Sequence, residues 1–115
     1  MTINGVEFDI DFTDADFVER YENKINDVNK DIEELRNKTI SPAEGIRQEC
    51  KIIKEFLDYV IGEGTSEKIF GDKDSLKLCV KAFEDIINEV DRQREEMQET
   101  IKKYSPERIA RWIYW

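Results

Sequence analysis

A mainly α fold is predicted for this 115-residue chain: a three-helix bundle of long antiparallel heptad helices with a short N-terminal β-hairpin. Three observations carry that expectation. Apolar residues recur at alternating spacings of three and four in three separate stretches, which is how a helix presents a stripe to a neighbour. Helix-start chemistry stands ahead of the first two stretches. Before them, Val6, Phe8, Ile10 and Phe12 alternate with Glu7, Asp9 and Asp11, the period of a strand.

The opening strand follows Asn4-Gly5, a pair that tolerates the positive φ of a tight hairpin turn. The hairpin is expected over residues 2–12, with Val6, Phe8, Ile10 and Phe12 on the face that must be covered. The first helix is expected over about Asp14 to Asn37. Thr13 is the candidate cap, Asp16 follows it in an acidic capping box, and Phe12 and Phe17 are placed as a hydrophobic staple. Its seam runs Val18, Tyr21, Ile25, Val28, Ile32, Leu35.

Ser41-Pro42-Ala43-Glu44 starts the second helix as cap, first-turn proline and capping-box glutamate. Ile46, Cys50, Ile53, Leu57 and Val60 form its seam, and Ile52, Phe56, Tyr59 and Ile61 widen it. A helix apolar on more than one side is packed on more than one side, so this one is expected to be central, ending at Gly62. Thr65 is placed to cap a short turn over Ser66 to Phe70, closed by Gly71. The longest helix carries the seam Leu76, Val80, Phe83, Ile87, Val90, Arg94, Met97, Ile101, Tyr104, flanked by Cys79 and Ile86. Ile53 and Phe83 are expected in the core.

The three main helices have lengths of roughly 36, 30 and 45 Å at 1.5 Å per residue. The third overhangs a bundle built on the second by about two turns or more. The overhang holds Met97, Ile101 and Tyr104, and after Ser105-Pro106 the chain closes on Arg111-Trp112-Ile113-Tyr114-Trp115. Bulky aromatic groups of this kind dominate interface energetics. Met97, Ile101, Tyr104, Trp112, Ile113, Tyr114 and Trp115 are therefore the candidate protein-interaction residues, against docking of the same groups on the chain's own core. A single domain is expected over 1–115, divided into the hairpin, a helical bundle over 14–104 and an aromatic C-terminal segment over 105–115.

Composition limits the chemistry. Hydrophobic and charged residues are each 39% of the chain, enough for a slim core beneath heavily charged helices. There is no His, which removes histidine acid–base catalysis, His-dependent nucleophiles and the usual zinc sites. The net charge of −9 argues against nucleic-acid and anionic-membrane partners, both of which need a basic footprint. Charge is uneven: residues 1–34 carry 11 acids against 3 bases, and residues 101–115 carry 4 bases against 1 acid. Opposite ends of opposite sign permit head-to-tail contact between copies.

Cys50 and Cys79 fall on apolar helix faces and read as buried free thiols. No signal peptide or membrane span is expected, and the setting is a reducing cytoplasm. Asp9, Asp11, Asp14 and Asp16 lack the tight loop and glycine of a calcium site. Gly62-Glu63-Gly64-Thr65 lacks the Lys-Ser/Thr of a phosphate loop. Glu95, Glu96 and Glu99 lie among Arg92, Arg94, Lys102 and Lys103 as surface ion pairs. No catalytic, cofactor or metal residues are expected, and Arg94 on an apolar seam marks either the end of the core or a polar register device.

The opening Ile3-Asn4-Gly5-Val6-Glu7-Phe8, the acidic heptad helix after it, and above all Phe56-Leu57-Asp58-Tyr59-Val60-Ile61-Gly62-Glu63-Gly64-Thr65-Ser66-Glu67-Lys68-Ile69-Phe70-Gly71 resemble a largely uncharacterised family of small proteins of phages and prophages of Gram-positive bacteria. The resemblance covers most of residues 3–90, including a helix like Leu76 to Val90. Genes of that family lie among phage tail genes. The resemblance implies a non-enzymatic, tail-assembly chaperone-like factor in the cytoplasm of an infected or lysogenic host. Its partner would be the tape-measure or another tail protein, with homo-oligomers expected. The other reading kept open is an acidic phage-encoded inhibitor of a host nucleic-acid-binding or defence protein. The Trp112–Trp115 end is not part of the resemblance.

Overall fold

Asn4 and Gly5 take φ of 49° and 80°, the left-handed pair that turns a two-residue hairpin. The turn joins β1 (Thr2–Ile3) to β2 (Val6–Glu7), antiparallel, with Thr2 opposite Glu7 and Ile3 opposite Val6. Four helices follow: α1 (Ala15–Arg36), α2 (Pro42–Val60), α3 (Thr65–Phe70) and α4 (Leu76–Tyr104). The structure is a computed structural model and describes residues 1–104.

The hairpin is shorter than the alternation over residues 2–12 predicts. Phe8 N–H donates to Met1 O at 2.8 Å, and the ladder stops there. From Phe8 to Thr13 the chain runs without a strand partner, yet Ile10 and Phe12 are buried. The two-residue period is thus kept by burial against helices and not by pairing with another strand.

The cap of α1 is Asp14, one residue later than the predicted Thr13. Its carboxylate accepts from Phe17 N–H at 3.1 Å. Thr13 instead gives its backbone N–H, at 2.9 Å, and its hydroxyl to Asp11, closing an Asx turn that delivers the chain to the helix. These bonds, the hydroxyl's first, hold the Asp11 carboxyl below the ordinary carboxylate range. Ser41 caps α2 as predicted, accepting from Glu44 N–H at 3.2 Å, with Pro42 in the first turn. The Glu44 carboxylate turns outward to Gln48 and Arg47.

Helix α2 is central: it packs against α1, α3 and α4. Antiparallel packing, predicted for all the long helices, holds for α1 and α2. Arg20 Nε donates to Val60 O at 3.2 Å at one end, and Arg36 pairs with the buried Glu49 at 3.0 Å at the other. Helix α4 departs from it. Cys50 meets Cys79 and the Phe56 ring meets Phe83, so the numbers of the two helices rise together and they run in the same sense.

That parallel step depends on the return segment 62–75. Asp58 accepts from the backbone and hydroxyl of Ser66, at 2.8 and 2.9 Å, which ties the start of α3 to the end of α2. Lys54 Nζ donates to Lys73 O at 2.8 Å and Asp74 at 2.7 Å and lies over the Phe70 ring. Asn4 Nδ2 donates to Ile69 O at 2.8 Å, so the hairpin turn also holds α3. The chain is carried back along α2 before α4 begins.

The core is one cluster drawn from every element except β2. In α4 its deepest members are Cys79, Ala82, Ile86 and Val90. The predicted seam through Leu76, Val80, Phe83 and Ile87 is half-buried instead, so the helix is rotated toward its small residues. Small side chains let α4 sit close to α2. Ile46, predicted on the α2 seam, is 36% exposed, and Tyr59 is 44% exposed under Lys24. Ile53 is buried as expected.

Two predictions follow from this packing. Phe56→Ala should cost about 3–5 kcal/mol, the usual range for a buried aromatic, and Phe83→Ala clearly less, because its ring is only partly covered. Urea denaturation of both variants checks the order, and equal losses would refute the rotation of α4. The second concerns alkali. Burial pushes the Cys79 thiol from an ordinary 9.0 up to about 12, and burial raises Cys50 as well. Above pH 9 the unfolded chain releases thiol protons that the folded chain keeps, so this stabilisation is complete below pH 9 and drains away as pH rises toward 12. Melting curves over that range should fall less steeply for Cys50→Ala/Cys79→Ala than for the parent.

Candidate functional site

The segment 8–13 crosses α4 and is fixed there by one side chain. Gln93 accepts from Phe12 N–H at 2.6 Å and donates to Ile10 O at 2.7 Å. Its amide supplies the donor and acceptor that a neighbouring strand would have offered. This is how Ile10 and Phe12 are buried without a sheet.

Phe12 is then held between helices. Its ring meets Phe17 and Tyr21 edge-on, with centroids 5.8 and 5.4 Å apart. The Arg94 guanidinium lies 5.5 Å from its centre, a cation–π arrangement. Tyr21, buried in this packing, has its phenol pushed up by burial first and by Asp91 second, with Arg94 opposing. Arg94 Nε is buried without a hydrogen-bond acceptor among the described residues. The residue that breaks the apolar seam of α4 therefore does so at the last layer of the core, using its charge on an aromatic face.

Beyond Arg94 the helix runs past the fully buried core, with Met97 and Thr100 across a groove from segment 9–13. Among the described residues Val90 is the last fully buried one of α4, and α2 has already ended. Of the predicted interaction residues, Met97 and Ile101 are half-buried on this projecting part and outside the core cluster. Tyr104 closes α4. Trp112, Ile113, Tyr114 and Trp115 lie outside the described residues, as does the whole predicted segment 105–115.

Between the projecting turns and segment 9–13 lies a groove of about 420 Å³, lined by Asp9, Ile10, Asp11, Gln93, Glu96 and Met97 among others. Its rim is charged and internally paired. Arg92 bonds Glu89 through both Nε and Nη2 and reaches Glu96 at 2.6 Å. The Arg92 hydrogen bond is the main reason that Glu89 sits below its ordinary range. Glu96, of the predicted ion-pair cluster, is thus paired within the helix, whereas Asp9 is exposed.

The acidic residues read along the sequence separate into different tasks. Asp14 caps α1, Asp11 closes the Asx turn, and Asp9 and Asp16 face solvent. Among the described residues no group of three or more His, Cys, Asp or Glu side chains is placed to hold a metal ion. At the glycine pair, Gly64 has φ of 83° and Thr65 is buried with its hydroxyl on Gly62 O at 2.6 Å, the geometry of a helix start. No helix of the described residues is long and apolar enough to cross a membrane.

Gln93 is the residue that sequence reasoning missed. Its partners are backbone atoms more than 80 positions away, and a lone glutamine beside a heptad seam carries no signal of that.

What these contacts define is a mainly helical protein, with a small hairpin tied to α3 and facing α4, and a last helix that projects past the central one. Residues 4–113 match a family described as a family of unknown function (DUF6673), and the chain belongs to that family. No curated protein and no solved structure matches it.

The clamp and the cation should respond differently to substitution. Gln93→Ala removes both backbone bonds of the clamp and should cost about 1–3 kcal/mol. Arg94→Met keeps the shape of the stem, removes a buried unsatisfied nitrogen and should stay within about 1 kcal/mol of the parent. Urea midpoints of the two variants check this, and a larger loss for Arg94→Met would mean that the cation–π contact dominates.

Proposed function

We propose that this protein is a non-enzymatic accessory factor of a phage tail module, a protein-binding factor of the tail-assembly chaperone kind. The observation that supports the reading most directly is the end of α4. Its last turns carry Met97 and Ile101 beyond the final buried layer at Val90, and the sequence continues from them into Trp112, Ile113, Tyr114 and Trp115. An apolar stripe that outruns its own core is suited to an apolar segment of another chain. The resemblance of residues 3–90 to phage and prophage proteins supplies the setting, the cytoplasm of an infected or lysogenic host, and the tape-measure protein as partner. In this reading the body is a single-domain three-helix bundle that holds the binding end, and the working form is a homo-oligomer.

A second reading has its own observation. Asp16, Glu19, Glu22, Asp27, Asp31, Glu33 and Glu34 are all exposed along α1. A row of carboxylates of this length is the kind of surface that competes with phosphate for a basic protein. It would make the protein an acidic inhibitor of a host nucleic-acid-binding or defence factor.

Co-expression separates the two. Co-expressed with a phage tape-measure protein, the full chain should raise that protein's soluble fraction and co-purify with it. Met97→Asp/Ile101→Asp should abolish both effects while the far-ultraviolet circular dichroism stays helical. Retention of the complex by that variant, or salt-sensitive binding that Glu→Gln changes on α1 remove, would favour the second reading.

A further inference from the structure

We propose that the groove between segment 9–13 and the projecting turns of α4 receives the basic, aromatic end of a second copy of this chain, so that copies associate head to tail. This rests on the protein-binding reading above and assigns it a first partner, the protein itself.

The argument begins with the groove. Asp9, Asp11 and Glu96 outnumber the one cation of its lining, Arg92, which pairs with Glu96. Ile10 and Met97 supply its apolar lining, and its volume of about 420 Å³ has room for an aromatic side chain. Its two walls are not independent, because Gln93 bonds segment 9–13 to α4 through both Phe12 N–H and Ile10 O. The site is therefore formed before a partner arrives, which lowers the ordering cost of binding.

Charge selects the occupant. The groove lies within or beside the acidic end of the chain, where residues 1–34 carry 11 acids against 3 bases. The complementary set is residues 101–115, with Lys102, Lys103, Arg108 and Arg111 against Glu107. These cations are interleaved with Trp112, Tyr114 and Trp115, the residue types that anchor interfaces.

For the two lysines of α4, helix geometry favours a pairing between copies. Lys102 and Lys103 belong to α4 itself. At 1.5 Å per residue they lie roughly 14 Å along the helix from Gln93, the level at which segment 9–13 crosses. Within one straight helix the two lysines stay at that remove from Gln93. The same two lysines on a neighbouring molecule meet no such constraint. Because the donor end and the acceptor groove are different surfaces, the contact is heterologous, and it builds rings or open chains instead of a symmetric pair.

Complementary charge reversal on the full-length protein tests this. Asp9→Lys/Glu96→Lys alters the groove without touching the Asp11 turn. Lys102→Glu/Lys103→Glu/Arg108→Glu/Arg111→Glu alters the tail. In sedimentation velocity the parent should gain mass with concentration and lose it again as sodium chloride is raised. Each variant alone should remain at monomer mass with unchanged helical circular dichroism. An equimolar mixture of the two should regain assemblies, since each then offers the other a matched surface. A parent that stays monomeric at every concentration would overturn the proposal and would point to docking of the tail on its own chain. Variants that assemble like the parent, or folded variants whose mixture stays monomeric, would overturn it equally. Should the groove variant lose its helical signal, the tail variant decides alone, because Lys102 and Lys103 are exposed. These measurements use no tape-measure protein, so their failure and a failure of co-expression are read separately.

Discussion

A chain of edge-on aromatic rings runs through the molecule and ties every long element to the next. Phe83 of α4 meets Phe56 of α2 at 5.1 Å, Phe56 meets Tyr21 of α1 at 6.2 Å, Tyr21 meets Phe12 at 5.4 Å and Phe12 meets Phe17 at 5.8 Å. Arg94 then lies over Phe12, which returns the path to α4. Aromatic pairs add about 0.5–1.5 kcal/mol each beyond their buried area when set edge to face. Phe56, fully buried at the centre, touches both α1 and α4 through this path. Without it the two outer helices would lose their common support, since they meet α2 far more than they meet each other.

The direction of α4 follows from the return segment. An α4 joined to α2 by a tight turn would have run back along it and ended near the α1–α2 connection. The Asp58–Ser66 and Lys54–Asp74 contacts instead bring the chain back along α2 first. Helix α4 then starts beside Cys50 and carries its surplus length past the end of α2, on the side where α1 begins. That places the projecting turns next to the acidic N-terminal segment. The groove is a consequence of this route, as is the need for Gln93 to hold the segment where no strand is available. Arg94 at the boundary also fits the route, because a layer with water on one side tolerates a guanidinium that a closed core would not.

Local chemistry made much of this legible in the residues. Asn4-Gly5 turns the hairpin, Ser41-Pro42 starts α2, Gly71 closes α3, and the breadth of the apolar face of α2 announces a central helix. The seam of α1 was readable for the same reason: each signal lies within one or two turns of its effect. That α4 is longer than α2 and outruns it follows from helix lengths alone. By contrast, Asp14 displaced Thr13 as the cap once Asp11 had engaged the threonine, a competition among near-equal local acceptors that spacing does not resolve.

What the sequence by itself determined is the inventory: mainly helical, four starts and stops, a short hairpin, an acidic front and a basic aromatic end. What only the tertiary structure decided is the arrangement. The alternation at Phe8, Ile10 and Phe12 turned out to be burial under helices, because Gln93 replaces a strand partner. The face of α4 that lies deepest is that of Cys79, Ala82 and Ile86, because small residues allow the closest approach to α2. The sense of α4 relative to α2 was set by Lys54 and Asp58 meeting residues of the return segment. Each of these outcomes depends on pairings between residues distant in sequence, whose free energy exists only once the chain has already brought them together.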